Sequence, residues 1–142
     1  MTLSDDEKRA WLARVPLFTG CSDDVVEQLA AVSTDVDFAP DEVIVAQGQT
    51  GNGLVIVVTG GVRIVAGNQE LARLGPGEVI GELSVIDQQA RSASVYAVGP
   101  TTCLALASWD FVAVLEREPR LALNLLRELV TRLRRADDKL RD

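Results

Sequence analysis

The feature that most constrains the fold is the placement of glycine. Ten of the eleven glycines lie between Gly48 and Gly99, and the remaining one is Gly20. In that middle part, short runs rich in Val and Ile alternate with Gly, Pro, Asn or Asp. Runs of this kind are typical of short β-strands separated by turns. We therefore expect residues 35–107 to form a compact antiparallel sandwich or roll.

Two dipeptides within this region have the composition of tight hairpin turns. They are Gly60-Gly61 and Gly67-Asn68. Glycine adopts a positive φ at almost no cost, which is what such turns require. Each pair is therefore predicted to join two adjacent, paired strands.

The two ends of the chain have helical patterns. Ser4 and Ser22 are each followed directly by acidic residues, which suits helix N-caps and the positive end of the helix dipole. After Ser108 the pattern is helical again, with a break near Pro119. The prediction is one α+β domain, mainly β, over residues 1–142. Its parts are N-terminal helices (1–34), the roll (35–107) and C-terminal helices (108–142), the last of them long.

The last helix carries an apolar seam. Its residues recur at intervals of three and four, as on one face of an α-helix. They are Leu126, Leu129, Val130, Leu133, Ala136 and Leu140. The seam is expected to be buried, either on the roll or against the same helix of a second subunit, and both alternatives stay open.

Histidine is absent from the sequence. Without it the chain has no Ser-His-Asp or Cys-His nucleophile pair, no imidazole general base and no histidine-ligated metal site. Twenty-one acidic against fourteen basic residues give a net charge of −7, which opposes attraction to nucleic acid or an anionic membrane. Most familiar single-domain enzyme chemistries are therefore excluded or handicapped, and we expect no nucleic-acid or membrane partner.

The cysteines and the apolar segments indicate a compartment. Cys21 and Cys103 are far apart and form no CxxC pair, so both are expected to be buried free thiols. No charged segment followed by an apolar one opens the chain, and no apolar stretch approaches the ~20 residues that span a bilayer. These observations predict a soluble protein of the cytoplasm.

One segment departs from simple core patterning, namely residues 75–94, GPGEVIGELSVIDQQARSAS. Gly81 permits an unusual backbone angle, and residues 82–84 are predicted to begin a short helix whose free N–H groups point at one spot. Arg91 can bring a guanidinium to the same spot, and Ser92 adds a hydroxyl. This combination is a candidate anion site.

Glu82 is unsuited to binding phosphate, but its carboxylate can accept a hydrogen bond from a sugar hydroxyl. Together with the anion site it describes a receptor for a ribose phosphate. The structural alternative is that Glu82 and Arg91 simply form an ion pair on a loop, and the residues alone leave this alternative open.

The string GELSVIDQQARSA, residues 81–93, resembles the phosphate-binding cassette of cyclic-nucleotide-binding domains. Such domains occur in catabolite activator proteins, protein kinase A regulatory subunits and cyclic-nucleotide-gated channels. Other landmarks follow in the family's order and spacing. They are PLFTG at 16–20, Gln47-Gly48, Gly60-Gly61, LGPGEVIGE at 74–82 and the helix after Pro119. The resemblance implies a β-roll, or jelly roll, with a cassette at residues 80–93.

The resemblance also implies roles for the polar cassette residues. Glu82 would bind the ribose 2′-hydroxyl, and Arg91 would pair with the cyclic phosphate. The remaining contacts to phosphate would come from the backbone beside Gly81, from the N–H groups of Leu83, Ser84 and Ala93, and from the hydroxyl of Ser92. A cyclic phosphodiester carries one negative charge, which one arginine balances without a metal. The resemblance therefore implies a binding domain with no enzyme activity, no metal and no cofactor.

The apolar wall and the choice of base are also implied by the resemblance. Ile80, with Ile64 and Leu71 from facing strands, would supply the wall. In members that prefer adenine, the final helix offers hydroxyl side chains to the base, near Ala136 and Asp137 in this chain. Neither residue has a hydroxyl, although Asp137 could accept hydrogen bonds from adenine or guanine. Cyclic AMP is the first choice of ligand, and cyclic GMP is the alternative.

The expected function is that of a sensor whose ligand repositions the C-terminal helix. The chain ends at Asp142, where transcription regulators of the family continue into a DNA-binding domain, so we expect a standalone module that acts on an effector domain or a protein partner. A homodimer through the last helix is one such partner. Two other classes are a cupin-type enzyme, which the lack of histidine disfavours, and an interaction module of the same fold without a ligand.

Overall fold

The structure of the protein, a computed structural model, describes residues 2–141, the last of them by its backbone alone. Helices lie at both ends of the chain, and a single short helix interrupts the strands. They are α1 (Asp5–Leu12), a 3-10 helix (Pro16–Phe18), α2 (Asp23–Val32), α3 (Glu82–Asp87), α4 (Ser108–Arg117) and α5 (Pro119–Arg141). The helix at Pro16–Phe18 was not predicted from the sequence.

The described residues form eight strands. They are β1 (Thr34–Phe38), β2 (Val43–Val45), β3 (Gly53–Thr59), β4 (Val62–Ala66), β5 (Gln69–Leu74), β6 (Val79–Ile80), β7 (Ser94–Ala97) and β8 (Thr101–Ala107). They build two four-stranded sheets, ordered β1-β8-β3-β6 and β2-β7-β4-β5, and the paired strands are antiparallel. The predicted α+β fold, an antiparallel roll between helices with a long C-terminal helix, is confirmed.

Side-chain caps start the first two helices where the sequence predicts. The hydroxyl of Ser4 accepts a hydrogen bond from the Glu7 N–H at 3.1 Å, and the Glu7 carboxylate accepts one from the Ser4 N–H at 3.1 Å. This reciprocal pair is a capping box. Ser22 caps α2 through the Val25 N–H at 3.4 Å. Both caps satisfy N–H groups that the helix itself leaves without partners.

The prediction of a hairpin at Gly60-Gly61 is wrong. Strands β3 and β4, which flank this pair, belong to different sheets, so the turn carries the chain from one sheet to the other. Gly60 has φ +87°, and a Cβ there would lie 2.5 Å from the carbonyl oxygen of Pro100. The hairpin at Gly67-Asn68 is confirmed, because it joins the paired strands β4 and β5.

The core has two parts. The larger one lies between the helices and the β1-β8-β3-β6 sheet, and includes Leu12, Leu29, Leu104, Phe111 and Leu121, all fully buried. The smaller one lies between the two sheets and comprises Val57, Val62, Ile80, Val95 and Cys103. The roll is therefore filled by short branched side chains, while the helices cover its outer face.

Helix α5 leaves the core after its second turn. Leu121 and Leu125 are buried, whereas Leu126, Val130, Leu133 and Leu140 are 56%, 48%, 69% and 86% exposed. Within one chain, the roll does not cover the predicted seam. Although α5 has 23 residues, its polar content is too high for a membrane span, and none of the helices described is both long and apolar enough to be one.

Candidate functional site

The candidate site begins at the short strand β6, and Gly81 is the single residue between this strand and α3. Gly81 adopts the left-handed conformation, with φ +92°. A Cβ at this position would lie 2.2 Å from Nη1 of Arg91. Glycine is required here both for its backbone angle and for the space that the guanidinium occupies. The predicted start of a helix at Glu82 is confirmed.

Glu82 carries a buried carboxylate at the first position of α3. Only 5% of its side chain is exposed, and its Oε1 lies 2.7 Å from Nη2 of Arg132 on α5. Arg132 also contacts Glu128 at 3.2 Å, one helical turn earlier. Burial alone would lower the pKa of Arg132, but attraction and hydrogen bonding from Glu82, and then from Glu128, raise it on balance. This ion pair joins the cassette to the last helix.

Arg91 is buried to 8% exposure and hydrogen-bonds to backbone carbonyls. Its Nη1 donates to the carbonyl of Gly81 at 3.0 Å, and its Nη2 donates to that of Gly53. Burial lowers the pKa of Arg91, and the charge of Glu82 partly opposes this effect. No described carboxylate is in ion-pair contact with Arg91. The alternative of a loop ion pair between Glu82 and Arg91 is therefore wrong, because Glu82 pairs with Arg132.

The main chain of Arg91 is fixed by the loop before β3. Its N–H donates to the Gln49 carbonyl at 2.9 Å, and its carbonyl accepts from the Gly48 N–H at 2.9 Å. The adjoining residue, Gln47, donates its N–H to the hydroxyl of Ser94 at 2.8 Å. Strand β2 ends at Val45, and the residues after it hold the main chain of the cassette arginine in place.

Nine of the eleven predicted site residues line one cavity of about 260 Å³. They are Ile64, Ile80, Gly81, Glu82, Leu83, Ser84, Arg91, Ser92 and Ala93. The cavity is slightly smaller than the roughly 300 Å³ at which ordinary small-molecule sites begin, and its lining combines apolar side chains with the guanidinium groups of Arg91 and Arg132 and the carboxylate of Glu82. Such a lining can hold one anionic group and one hydroxyl-bearing group side by side.

A family model described as "Cyclic nucleotide-binding domain" matches residues 35–118, which is more than half of the chain. The chain belongs to the cyclic nucleotide-binding domain family. Among curated proteins, it is 40% identical over 127 residues to the "Cyclic AMP receptor protein" of Thermus thermophilus, covering 86% of this chain and 59% of the relative. The chain thus spans about three fifths of the length of that relative.

Solved structures agree with this assignment of the domain. The Thermus thermophilus catabolite activator protein matches with a TM-score of 0.80 and 40% identity, over 88% of this chain and 61% of that one. The regulatory subunit of a cAMP-independent protein kinase A from Trypanosoma brucei matches with a TM-score of 0.78 and 24% identity, over 88% and 47%. At that identity the second match bears on the fold alone.

Two predicted residues of this cyclic nucleotide-binding domain lie outside the cavity. Leu71 is 55% exposed, because the β4-β5 pairing has a bulge there: Ile64 faces Ala72 and the next residue along β4 faces Glu70. Asp137 is exposed on α5 and borders a separate surface cavity with Val130 and Leu133. Within a single chain, the cavity therefore gains no wall from Leu71 and no base contact from Asp137.

Five cavity residues of the domain were missed by sequence reasoning. They are Val45, Leu74, Val79, Val95 and Arg132. The four apolar residues carry the same pattern as core strands, so no sequence signal separates them from core. Arg132 follows Glu128 by four residues, so the sequence around it indicates only a local pair on the helix surface. Nothing in the sequence links it to Glu82, fifty positions earlier.

Proposed function

We propose that this domain is a receptor that binds cyclic AMP without converting it. One observation carries the proposal: Arg91 is buried, has no described carboxylate in ion-pair contact, and lies beside Gly81 in the cavity that also holds the carboxylate of Glu82. Its guanidinium donates to two neutral backbone carbonyls, so a phosphate would supply the compensating negative charge that these partners lack.

In this proposal each cavity residue has a defined task. Arg91 pairs with the cyclic phosphate, and the N–H groups of Leu83, Ser84 and Ala93 donate to its oxygens. The hydroxyl of Ser92 donates to the same group. On the sugar side, a carboxylate oxygen of Glu82 accepts from the ribose 2′-hydroxyl. Ile64 and Ile80 pack against the apolar parts of the ligand, together with the cavity residues that the sequence did not reveal.

The signal passes to α5 through the ion pair between Glu82 and Arg132. A ribose hydroxyl that donates to Glu82 shares the carboxylate which Arg132 now holds at 2.7 Å. Arg132 then turns further towards Glu128 and solvent, and α5 changes its position on the roll. Because α5 is held to the core by little more than its first two turns, a small change in this pair is enough to bias two arrangements of the helix.

The preference for cyclic AMP has two supports. The hydroxyl of Ser92 is compatible with it, and the relative that is 40% identical is named as a cyclic AMP receptor. Asp137 does not reach the cavity of its own chain, so any contact from it to the base comes from a second copy.

Titration calorimetry with cyclic AMP and cyclic GMP tests the proposal. Wild type is expected to bind cyclic AMP more tightly than cyclic GMP, with a dissociation constant in the micromolar range or below. Arg91→Glu is expected to lose about 2 to 5 kcal/mol of binding free energy, because truncating a buried charge partner costs that much. The matched control is Arg73→Glu, whose arginine is 61% exposed and lies outside the cavity. If neither nucleotide binds wild type, or Arg91→Glu binds as well as wild type, the proposal is wrong.

We also propose that the domain pairs with a second copy through α5. The support is the row of exposed apolar residues that continues for four turns at alternating intervals of three and four: Leu126, Val130, Leu133 and, beyond Asp137, Leu140. Light scattering is expected to give twice the monomer mass. Leu133→Glu is expected to shift the mass to the monomer, and Arg135→Glu, which also adds an acid to exposed α5, serves as control. A monomeric wild type contradicts this proposal.

The compartment remains a prediction, and the thiols support it. Cys21 and Cys103 are both free. Unpaired cysteines are typical of proteins of the reducing cytoplasm. We therefore propose that the domain acts there.

A further inference from the structure

A second cavity, of about 470 Å³, lies on the other side of Arg91. It is lined by β2, by the first residues of β1 and β3 and by the last residues of β8, and it shares only Val45 and Arg91 with the first cavity. Its volume falls within the range of sites for small organic ligands. The cavity is therefore large enough for a ligand of its own, next to the site proposed for the nucleotide.

The lining of this second cavity is mostly apolar. Half-buried residues such as Ile44, Val55 and Ala105 form part of it. At its rim, Val32 is 38% exposed and Trp109 is 68% exposed. A ligand that covers exposed apolar side chains at the mouth of a cavity removes their surface from water, which contributes favourably to the free energy of binding. These residues favour a ligand with an apolar body.

One charge faces this apolar lining. Arg91 is the only charged residue among those that line the second cavity. Its Nη2 is held by the carbonyl of Gly53, and its guanidinium lies so close to Gly51 that a Cβ there would be 1.9 Å from Nη2. The loop beside it adds neutral polar groups from Gln49, Thr50 and Asn52. A single buried cation in an apolar setting selects a ligand with one negative charge.

We propose that this second cavity binds a small amphipathic monoanion, an apolar chain or ring that carries one carboxylate. The carboxylate takes the Nη2 of Arg91 from the Gly53 carbonyl, and the apolar body lies against Val55 and Ala105 towards Trp109. Binding of this acid does not require the cyclic nucleotide. Its consequence for the nucleotide does rest on the proposed function, because both ligands use the guanidinium of Arg91.

The two ligands therefore antagonise each other. One positive charge cannot compensate two buried anions, so the second anion to arrive is left without a partner charge. By thermodynamic linkage, each ligand weakens the other by the same factor. The acid would thus lower the sensitivity of the domain to the nucleotide without entering the nucleotide cavity.

Octanoate is a suitable probe, and octanol is its uncharged counterpart. Calorimetry with wild type is expected to show saturable binding of octanoate at one site, at least tenfold tighter than binding of octanol. Ala46→Phe, which fills the cavity from β2's end, is expected to abolish binding, whereas Ala10→Phe on exposed α1 leaves it unchanged. Trp109→Glu, at a position that is 68% exposed, is expected to weaken octanoate binding at least tenfold by adding a like charge at the rim.

Three results would overturn the inference. They are non-saturating binding of octanoate, octanol binding as tightly as octanoate, and retention of octanoate by both Ala46→Phe and Trp109→Glu. The nucleotide gives a separate readout: saturating octanoate is expected to weaken cyclic AMP at least tenfold. If octanoate binds as expected but wild type binds no nucleotide, the proposed function fails and the second site stands. If the nucleotide binds and octanoate does not, the second site fails and the proposed function stands.

Discussion

Substitutions in the pair formed by Glu82 and Arg132 are expected to have unequal effects on stability. Arg132→Gln leaves the carboxylate of Glu82 without a cation, in a place where its side chain is 5% exposed. Glu82→Gln leaves Arg132 with Glu128 as partner and with solvent, because the side chain of Arg132 is 43% exposed. The arginine substitution should therefore be the more damaging of the two.

The magnitudes follow from the burial of each partner. Breaking a fully buried ion pair from one side costs about 3 to 5 kcal/mol, whereas an exposed pair contributes about 0.2 to 1 kcal/mol. The pair here lies between these limits. We expect Arg132→Gln to lower the free energy of unfolding by about 2 kcal/mol, and Glu82→Gln to lower it by less than about 1 kcal/mol. In the double variant the losses should not add, with a coupling energy of about 1 kcal/mol.

Urea unfolding followed by circular dichroism measures all four proteins of this cycle. Arg127→Gln is the matched control, since it removes an exposed arginine from the same helix, away from the cassette. The dependence on urea should stay the same, so that shifts in midpoint report stability. The reasoning is refuted if Glu82→Gln is as costly as Arg132→Gln, or if the two losses simply add.

Three further predictions concern the fold. Gly67→Ala should lower the free energy of unfolding by about 1 kcal/mol, because of its positive φ alone. Gly60→Ala should lower it by about 3 kcal/mol, because its Cβ would also clash with the backbone at Pro100, and equal losses would contradict this. Phe111→Ala, at a fully buried position, should cost about 3 to 5 kcal/mol by urea unfolding, and a loss below about 1 kcal/mol would show the core differently placed. Burial raises the pKa of the Cys103 thiol to about 11, so folding favours its protonated form. The contribution of Cys103 to the free energy of unfolding should be present below pH ~9 and fall by about 2 kcal/mol by pH ~10.5, because the thiol ionises in the unfolded chain first. Cys103→Ala should lack this part of the loss.

Much of the fold was predictable because its signals are local. The caps at Ser4 and Ser22 act over three residues, and the Gly67-Asn68 turn joins strands that are adjacent in sequence. At Gly60-Gly61 the same local signal misled, because a glycine turn looks alike whether the next strand pairs or crosses to another sheet. Only the distant partners of β3, in β8 and β6, decide between the two.

The residues of the candidate site were also predictable where they are close together in the sequence. Residues 80–84 and 91–93 form nearly contiguous segments, so one stretch of sequence places them around one cavity. Leu71 was misplaced because a bulge shifts the side of the sheet on which it lies, and a bulge leaves no mark in the pattern of β5. Arg132 was missed because its contact with Glu82 joins two elements whose packing no local rule gives.

The length of α5 determines how far the proposed shift of this helix would carry its C-terminal end. Leu125 is its last buried residue, and sixteen residues follow it up to Arg141, which at the rise of an α-helix is about 24 Å. A tilt of about 10° around Leu125 moves Arg132 by only about 2 Å. That is less than the 2.7 Å that now separates Nη2 of Arg132 from Oε1 of Glu82. The same tilt carries the far end of the helix through about 4 Å. In the proposed response to ligand, a displacement at Arg132 is therefore about doubled at the far end of α5.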